Sequence, residues 1–389
     1  MNTLDKRTLL AGNPPQSEEL VLSLLVDNSW LKAMREYCLE PLISSGGCKV
    51  KILYGDSGTG KTHYLKALES YAKKFGFYVC NFDMRKMEYR LTDLIQLYKG
   101  IATYIDTQAL RNNLLLRILE KLGYHGSFHQ IENNSLVDFI CEQESAPVYM
   151  ARQTIRKNIN LIVKNLDISF SFRLFLGRYM EAICDNDAEY LLLLESWLMG
   201  IKLASFDKRR TQLFESLNRQ NARVWLYSFN EVIRLAGYKG MVLILDQFES
   251  ILPDADSAIR YTNLKRNDTY EMLRQLIDDL DFLRHFLLLI AGNTNIVTSE
   301  KYGLQSYHAL WMRVQQNYVQ EQIINPYSDV INANLIMKQI INDGSIGAFS
   351  AKLREICLQE SCISTDTTVK PSTKIQDFKD IIRHITNEA

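Results

Sequence analysis

Two kinds of apolar pattern alternate along the chain. Short runs that are apolar at almost every position read as strands buried on both faces: the end of Cys48–Tyr54, Met241–Leu245 closing on Asp246, and Phe286–Ala291 closing on Gly292, Asn293 and Thr294. Gly76–Met84 is rich in β-formers and reads as a further strand. Elsewhere apolar residues recur every three or four positions, which predicts helices. Examples are Leu65 and Leu68, then Leu114, Ile118 and Leu122, then Trp225, Phe229, Val232 and Ala236. Leu273, Ile277 and Leu280 predict a helix from Tyr270 to about Leu283. Between Leu91 and about Leu235 only Pro147 interrupts the helical pattern. That is too much helix for one crossover, so a helical insertion over about 108–222 is expected between the second and third strands.

The order of elements predicts an α/β fold with a parallel sheet. An N-terminal helical segment (1–40) would precede a core (41–320) that carries the insertion. From about Gln320 the chain reads as short helices, including Ala333–Ile341 and Ile375–Ile385, with a Ser/Thr-rich linker (361–374) before the last. A small helical lid over 321–389 is the expectation.

One polar interruption changes this picture. Gly55-Asp56-Ser57-Gly58-Thr59-Gly60-Lys61-Thr62 sits between a predicted strand and a predicted helix, in the spacing of a phosphate-binding loop. In such a loop backbone N–H groups wrap the phosphates, the Lys61 position reaches the β and γ oxygens, and the Thr62 hydroxyl ligates Mg²⁺. His63 follows directly and would contact the base side or pack. Asp246, at the end of a wholly apolar strand, is the candidate second holder of the metal. Asn293, ahead of Thr294, is the candidate reporter on the γ-phosphate, with an ordinary Gly-Asn turn as the alternative. The ligand expected is a nucleoside triphosphate with Mg²⁺.

Charge narrows the partners. Lys+Arg and Asp+Glu are equal at 45 each, so the basic excess of a dedicated nucleic-acid-binding domain is lacking. Two local patches could still meet DNA: Arg152, Arg156, Lys157, Lys164, Arg173 and Arg178, whose acidic neighbour in sequence is Asp167, and the run Asp207–Arg210. Solvated helix faces are the plainer reading of both. The seven cysteines are odd in number, scattered and without a C-x-x-C pair, as in a reduced compartment. No run approaches the ~20 apolar residues that span a bilayer, and the first residues lack a signal peptide's apolar stretch, so a cytoplasmic protein is expected. His125 and His129 with Glu132 have a metal-like interval, but two neighbouring glycines make the segment a loop.

Beyond these motifs, the chain from about residue 20 onward resembles the ATP-binding domain of the BREX bacteriophage-defence systems, a branch near the origin-recognition-like AAA+ ATPases. The resemblance rests on "GYKGMVLILDQFES", "YEMLRQLIDDLD", "LLLIAGNTNIVTSEKYGLQSYHALWMRV" and "KPSTKIQDFKDIIRHI", with "NDAEYLLLLESWLMG" upstream. It implies a P-loop NTPase of the AAA+ type that takes ATP and Mg²⁺ and works in a homo- or hetero-oligomer. Its implied partners are other proteins of a defence operon, with double-stranded DNA a further candidate. It also implies that Arg313 reaches a neighbouring subunit's ATP, where an Arg would neutralise transition-state charge.

Two departures from the family's pattern stand out. Gln247 follows Asp246 where the family has the Glu that orients or deprotonates the attacking water, and an amide cannot accept that proton. Glu249 is the nearest replacement, and alternation puts it beside Gln247 if the strand runs on past Asp246. Near Ser372 and Thr373 the family tends to place an Arg, and Lys370 and Lys374 stand there instead, which puts a second γ-phosphate sensor in doubt. Three functions follow: an active Mg-ATPase that switches or moves a defence complex, a slow or inactive nucleotide-gated scaffold, and a DNA-remodelling loader.

Overall fold

The computed structural model describes residues 5, 8–9, 13–131, 135–279, 282–315, 324–359, 378–379 and 381–382. The linker 361–374, with Lys370, Ser372, Thr373 and Lys374, and most of the helix expected over Ile375–Ile385 lie outside these residues. In chain order the elements used below are β1 (Cys48–Tyr54), α1 (Lys61–Lys74), β2 (Tyr78–Asp83), α2 (Thr107–Leu122), α3 (Val148–Lys164), α4 (Phe170–Asp185), α5 (Ala188–Leu198) and α6 (Ala222–Leu235). They continue with β3 (Met241–Asp246), α7 (Asn263–Asp278), β4 (Phe286–Gly292), α8 (Thr294–Thr298), α9 (His308–Val314), β5 (Val330–Asn332), α10 (Ala333–Asn342) and α11 (Ser345–Gln359).

The chain folds as two compact units, one made of Met1–Arg90 with Met241–Ala389 and the other of Leu91–Gly240. The first holds a five-stranded sheet in the order β2-β3-β4-β1-β5, with every pairing parallel. β3 and β4 are buried along their whole length, which is why their sequences are apolar at nearly every position rather than alternating. Leu65 and Leu68 of α1 pack with Val242, Ile244, Leu287 and Leu289 in one core cluster. Each such fully buried aliphatic side chain contributes about 1.5–3 kcal/mol. α1 ends in a Schellman motif: Gly76 takes φ +84°, and Phe77 N–H donates to the Ala72 carbonyl at 2.9 Å.

Register brings the strand ends level. Tyr54 pairs with Gly292 on one side and Asn332 on the other, and Asp83 pairs with Asp246. The loops leaving β1, β3 and β4 therefore emerge along the carboxyl edge of the sheet, where open α/β sheets bind ligands.

The pattern misplaced two stretches here. α7 starts at Asn263 and stops at Asp278, not 270 to 283, because the Thr262 side chain caps it by accepting from Lys265 N–H. Beyond it, Leu283 N–H bonds to the Asp279 carbonyl, and Phe282 and Leu283 lie outside the helix, while residues 280 and 281 lie outside the described residues. The tail, read as helices only, contains β5, a three-residue strand beside Ile52–Tyr54. Three residues are too few to show a period of two. α10 follows it without a loop and agrees with the helix expected at Ala333.

The second unit is helical and includes the stretch expected as an insertion. Its core is aromatic: Phe172 and Phe175 of α4, Trp197 of α5 and Trp225 of α6 are buried, and the two indoles lie 4.3 Å apart. Glu195, 4% exposed, is held there by Nε and Nη2 of Arg111, each at 2.7 Å, and by the Tyr179 hydroxyl at 2.6 Å. The basic run of α3 and α4 stays exposed at Arg152, Arg156, Lys157 and Lys164, and part of its charge is met by acids. Arg152 pairs with Asp185 and Arg156 with Glu181, carboxylates one helix away that the linear sequence conceals. Arg173 and Arg178 hydrogen-bond to carbonyl oxygens, and Arg210 pairs with Glu189. Of the cysteines, Cys38, Cys80 and Cys184 are buried. Among the described residues no helix is long and apolar enough to cross a membrane.

Candidate functional site

The loop between β1 and α1 is shaped by glycine. Gly58 and Gly60 take φ +93° and +87°, and Gly60 is the N-cap of α1 with no side chain over the helix end. A left-handed glycine there leaves the first amides of a fourteen-residue helix open to an anion, and the helix dipole adds to the attraction. Burial holds the Lys61 ammonium below its ordinary pKa, and its Nζ donates to the carbonyls of Gly55 and Asp56, both at 2.8 Å. Thr59 is buried and donates its hydroxyl to the Asp56 carbonyl.

A pocket of about 400 Å³ opens over this loop. Asp56, Ser57, Gly58, Gly60, Lys61, Thr62 and His63 line one side, and Asp246, Gln247, Glu249 and Asn293 line another. Leu24, Val26, Pro14, Pro15, Phe349 and Ile382 supply an apolar wall. His63 faces the pocket, but its Nε2 lies 2.8 Å from the Val21 carbonyl, and burial lowers its pKa. It pins the N-terminal segment against α1.

At the end of β3 three side chains meet. Asp246 is 6% exposed, and burial pushes its carboxyl up to about 6, against hydrogen bonds from the Thr62 hydroxyl and the Gln247 N–H. No cation of the chain pairs with it among the described residues, so a divalent ion would relieve that burial cost. Gln247 Nε2 donates to Thr62 Oγ1 at 3.1 Å. Thr62 and Asp246 thus fit Mg²⁺ as a hydroxyl and a carboxylate at adjacent strand and helix ends.

Glu249 arrives by a different route from the one expected. The strand does not run on: Gln247 takes φ +56°, and Phe248–Ile251 forms a turn of 3₁₀ helix. Alternation is thereby lost, yet the turn still carries Glu249 to the pocket. Its Oε2 accepts the Asn293 N–H at 3.1 Å, and it exerts the largest charge effect on Lys61. The Asn293 side-chain oxygen is buried with no hydrogen-bond partner among the described residues, as a group awaiting a ligand would be.

Arg313 lies apart from this cluster. Within the chain it pairs with Asp278 and also donates to the Ala309 carbonyl. It lines a separate recess near the start of β1, with Lys49 and Arg284.

Three contributors escaped the sequence reading. Asn334, at the start of α10, brackets Asp56 through two hydrogen bonds. Phe378 donates its N–H to the Gly58 carbonyl at 3.2 Å, and its ring packs over Gly60. Lys379 reaches Ser57 Oγ at 2.9 Å, a second cation on the loop. Lys379 stands a few residues beyond Lys374, and its positive charge near the end of the chain is the sequence signal for it.

A family model described as BREX system ATP-binding protein BrxC/D matches residues 38–388. No curated protein and no solved structure matches the chain.

Proposed function

The chain belongs to the BREX system ATP-binding protein BrxC/D family, and from that premise we propose that residues 55–62 form the P-loop of an AAA+-like core that holds Mg-ATP and hydrolyses it. In this reading, binding or turnover drives the assembly or DNA-associated action of the other proteins of the defence system, within a homo- or hetero-oligomer. The observation that carries it is the meeting of Lys61, Thr62, Asp246, Glu249 and Asn293 around one pocket at the carboxyl edge of a parallel sheet.

Each residue then has a task. The amides of Gly58, Gly60 and the first turn of α1 hold the phosphates, and the Lys61 ammonium exchanges two backbone carbonyls for phosphate oxygens. Lys379 adds a second positive charge from the C-terminal segment. Mg²⁺, held by Thr62 and Asp246, supplies neutralisation of the phosphate charge. Glu249 accepts the proton of the attacking water, and Asn293, whose backbone N–H it already holds, offers its unpartnered side-chain oxygen as a second acceptor for that water. An inter-subunit role for Arg313 requires it to leave Asp278 for the neighbour's phosphate.

Gln247 favours a second reading, a nucleotide-gated scaffold that turns ATP over slowly. Its amide occupies the Thr62 hydroxyl and offers no proton acceptor where the family has a carboxylate. Arg152 and Arg156 of α3, paired with carboxylates of α4, add nothing in favour of direct DNA remodelling.

Steady-state hydrolysis with and without duplex DNA, measured beside direct ATP binding, separates the readings. If Glu249 is the base, Glu249→Gln lowers turnover about 100-fold or more with ATP affinity kept within about threefold, while Lys61→Ala loses binding. If wild type binds through Lys61 but turns over no faster than Glu249→Gln, the scaffold stands. If it binds no ATP at all, both readings fall.

A further inference from the structure

Asp56 is an acid in the loop, where a negative charge opposes the ligand, and among the described residues its carboxylate hydrogen-bonds to no cation. Two neutral side chains engage it instead. Thr294 Oγ1, in the first turn of α8, donates to Oδ1 at 2.6 Å, and Asn334 Nδ2 donates to Oδ2 at 2.9 Å. The same Asn334 accepts the Asp56 N–H through its Oδ1 at 2.8 Å, so one amide brackets both the backbone and the side chain of Asp56. Asn334 is itself set in place, its N–H donating to Asn332 Oδ1 at 2.9 Å at the junction of β5 and α10.

The geometry points to Asn334 as a positioning residue for the nucleotide site, acting through Asp56. An N–H is only ever a donor, so the bracket fixes which way the amide faces: oxygen to the Asp56 N–H, nitrogen to the carboxylate. The carboxylate is thereby drawn to Thr294 and Asn334, and the Asp56 carbonyl is left to Lys61 and Thr59. From Asp56 the linkage continues through Thr294 to its neighbour Asn293, whose N–H is bonded to Glu249. The junction that opens α10 is thus joined by hydrogen bonds to the loop and to the carboxylate assigned as base. A change in phosphate occupancy at the loop is felt at the start of α10, and displacement of α10 is felt at Glu249.

This inference rests on ATP binding at the loop, and an exchange of the two side chains tests it apart from that premise. ATP affinity is measured by calorimetry on the full chain with Mg²⁺, with melting temperature without nucleotide as the control for folding. Asn334→Asp sets two carboxylates face to face and is expected to weaken ATP binding about tenfold. Asp56→Asn alone removes the opposing charge while its amide rotates to suit both neighbours, and it serves as the reference against which the double exchange is read. The double exchange restores donor opposite acceptor and returns affinity to within about twofold. Asn334→Ser, which empties the bracket without adding charge, is expected to lose about as much as Asn334→Asp.

A tenfold gain in Asp56→Asn, with the double variant merely additive, would mean that net charge acts alone and would overturn the bracket. So would wild-type affinity in both Asn334 variants. Absence of ATP binding in wild type refutes the nucleotide reading itself, whatever the variants do.

Discussion

At the scale of single residues, the site depends on backbone conformations that few side chains tolerate. Gly60 is left-handed at φ +87°, and a Cβ there would come within 3.0 Å of the Phe378 ring. Gly60→Ala is therefore expected to cost about 1–2 kcal/mol of stability, read as a lower denaturant midpoint, with a loss of ATP affinity in the same protein. Gln247 shows the converse. As a non-glycine residue at φ +56°, it breaks the strand and turns Glu249 into the pocket. The periodicity placed Glu249 near the site on the wrong grounds, because a single left-handed residue resets the direction of every side chain after it.

At the scale of elements, charged pairs act both within a helix and between helices. Glu271 of α7 accepts from Arg274 at 2.7 Å and from the Tyr307 hydroxyl at 2.8 Å, and Arg274 holds its carboxyl down to about 2. A depressed acid contributes its stability above the unfolded value near 4.5 and loses it as pH falls from there toward 2. With the side chain about a third exposed, the contribution stays below about 1 kcal/mol. Glu271→Gln is expected to flatten the pH dependence of the melting temperature in that window and to lower the melting temperature by a constant small amount above pH 5. In the helical unit the stakes are larger. Arg111→Met leaves the buried Glu195 carboxylate with the Tyr179 hydroxyl alone, and a loss of about 3–5 kcal/mol is expected in thermal or urea unfolding. The same logic explains the basic run of α3: its arginines look solitary in sequence because Glu181 and Asp185 lie on another helix.

At the scale of the whole molecule, the described residues of the pocket belong to the unit formed by Met1–Arg90 and Met241–Ala389. Hydrogen exchange with Mg-ATP is therefore expected to protect residues 54–66, 246–249, 293–295 and 333–335, and to leave the aromatic core around Trp197 and Trp225 unchanged. Equal protection of that core would show that the ligand orders both units.

β1 to β4, the glycine-rich loop between β1 and α1, and α1 itself were legible in the chain. Burial on both faces imposes unbroken apolar runs, and the loop demands glycine at fixed intervals. What the tertiary structure decided is how these pieces meet: the three-residue β5, the turn that delivers Glu249, the pairing of Arg313 with Asp278, and the reach of Asn334 and Lys379 to a loop that lies far away in sequence. Hydrophobic period reports which way a backbone segment faces over a few residues. Contacts between distant segments are set by strand register and by individual backbone turns, and neither leaves a periodic trace in the sequence.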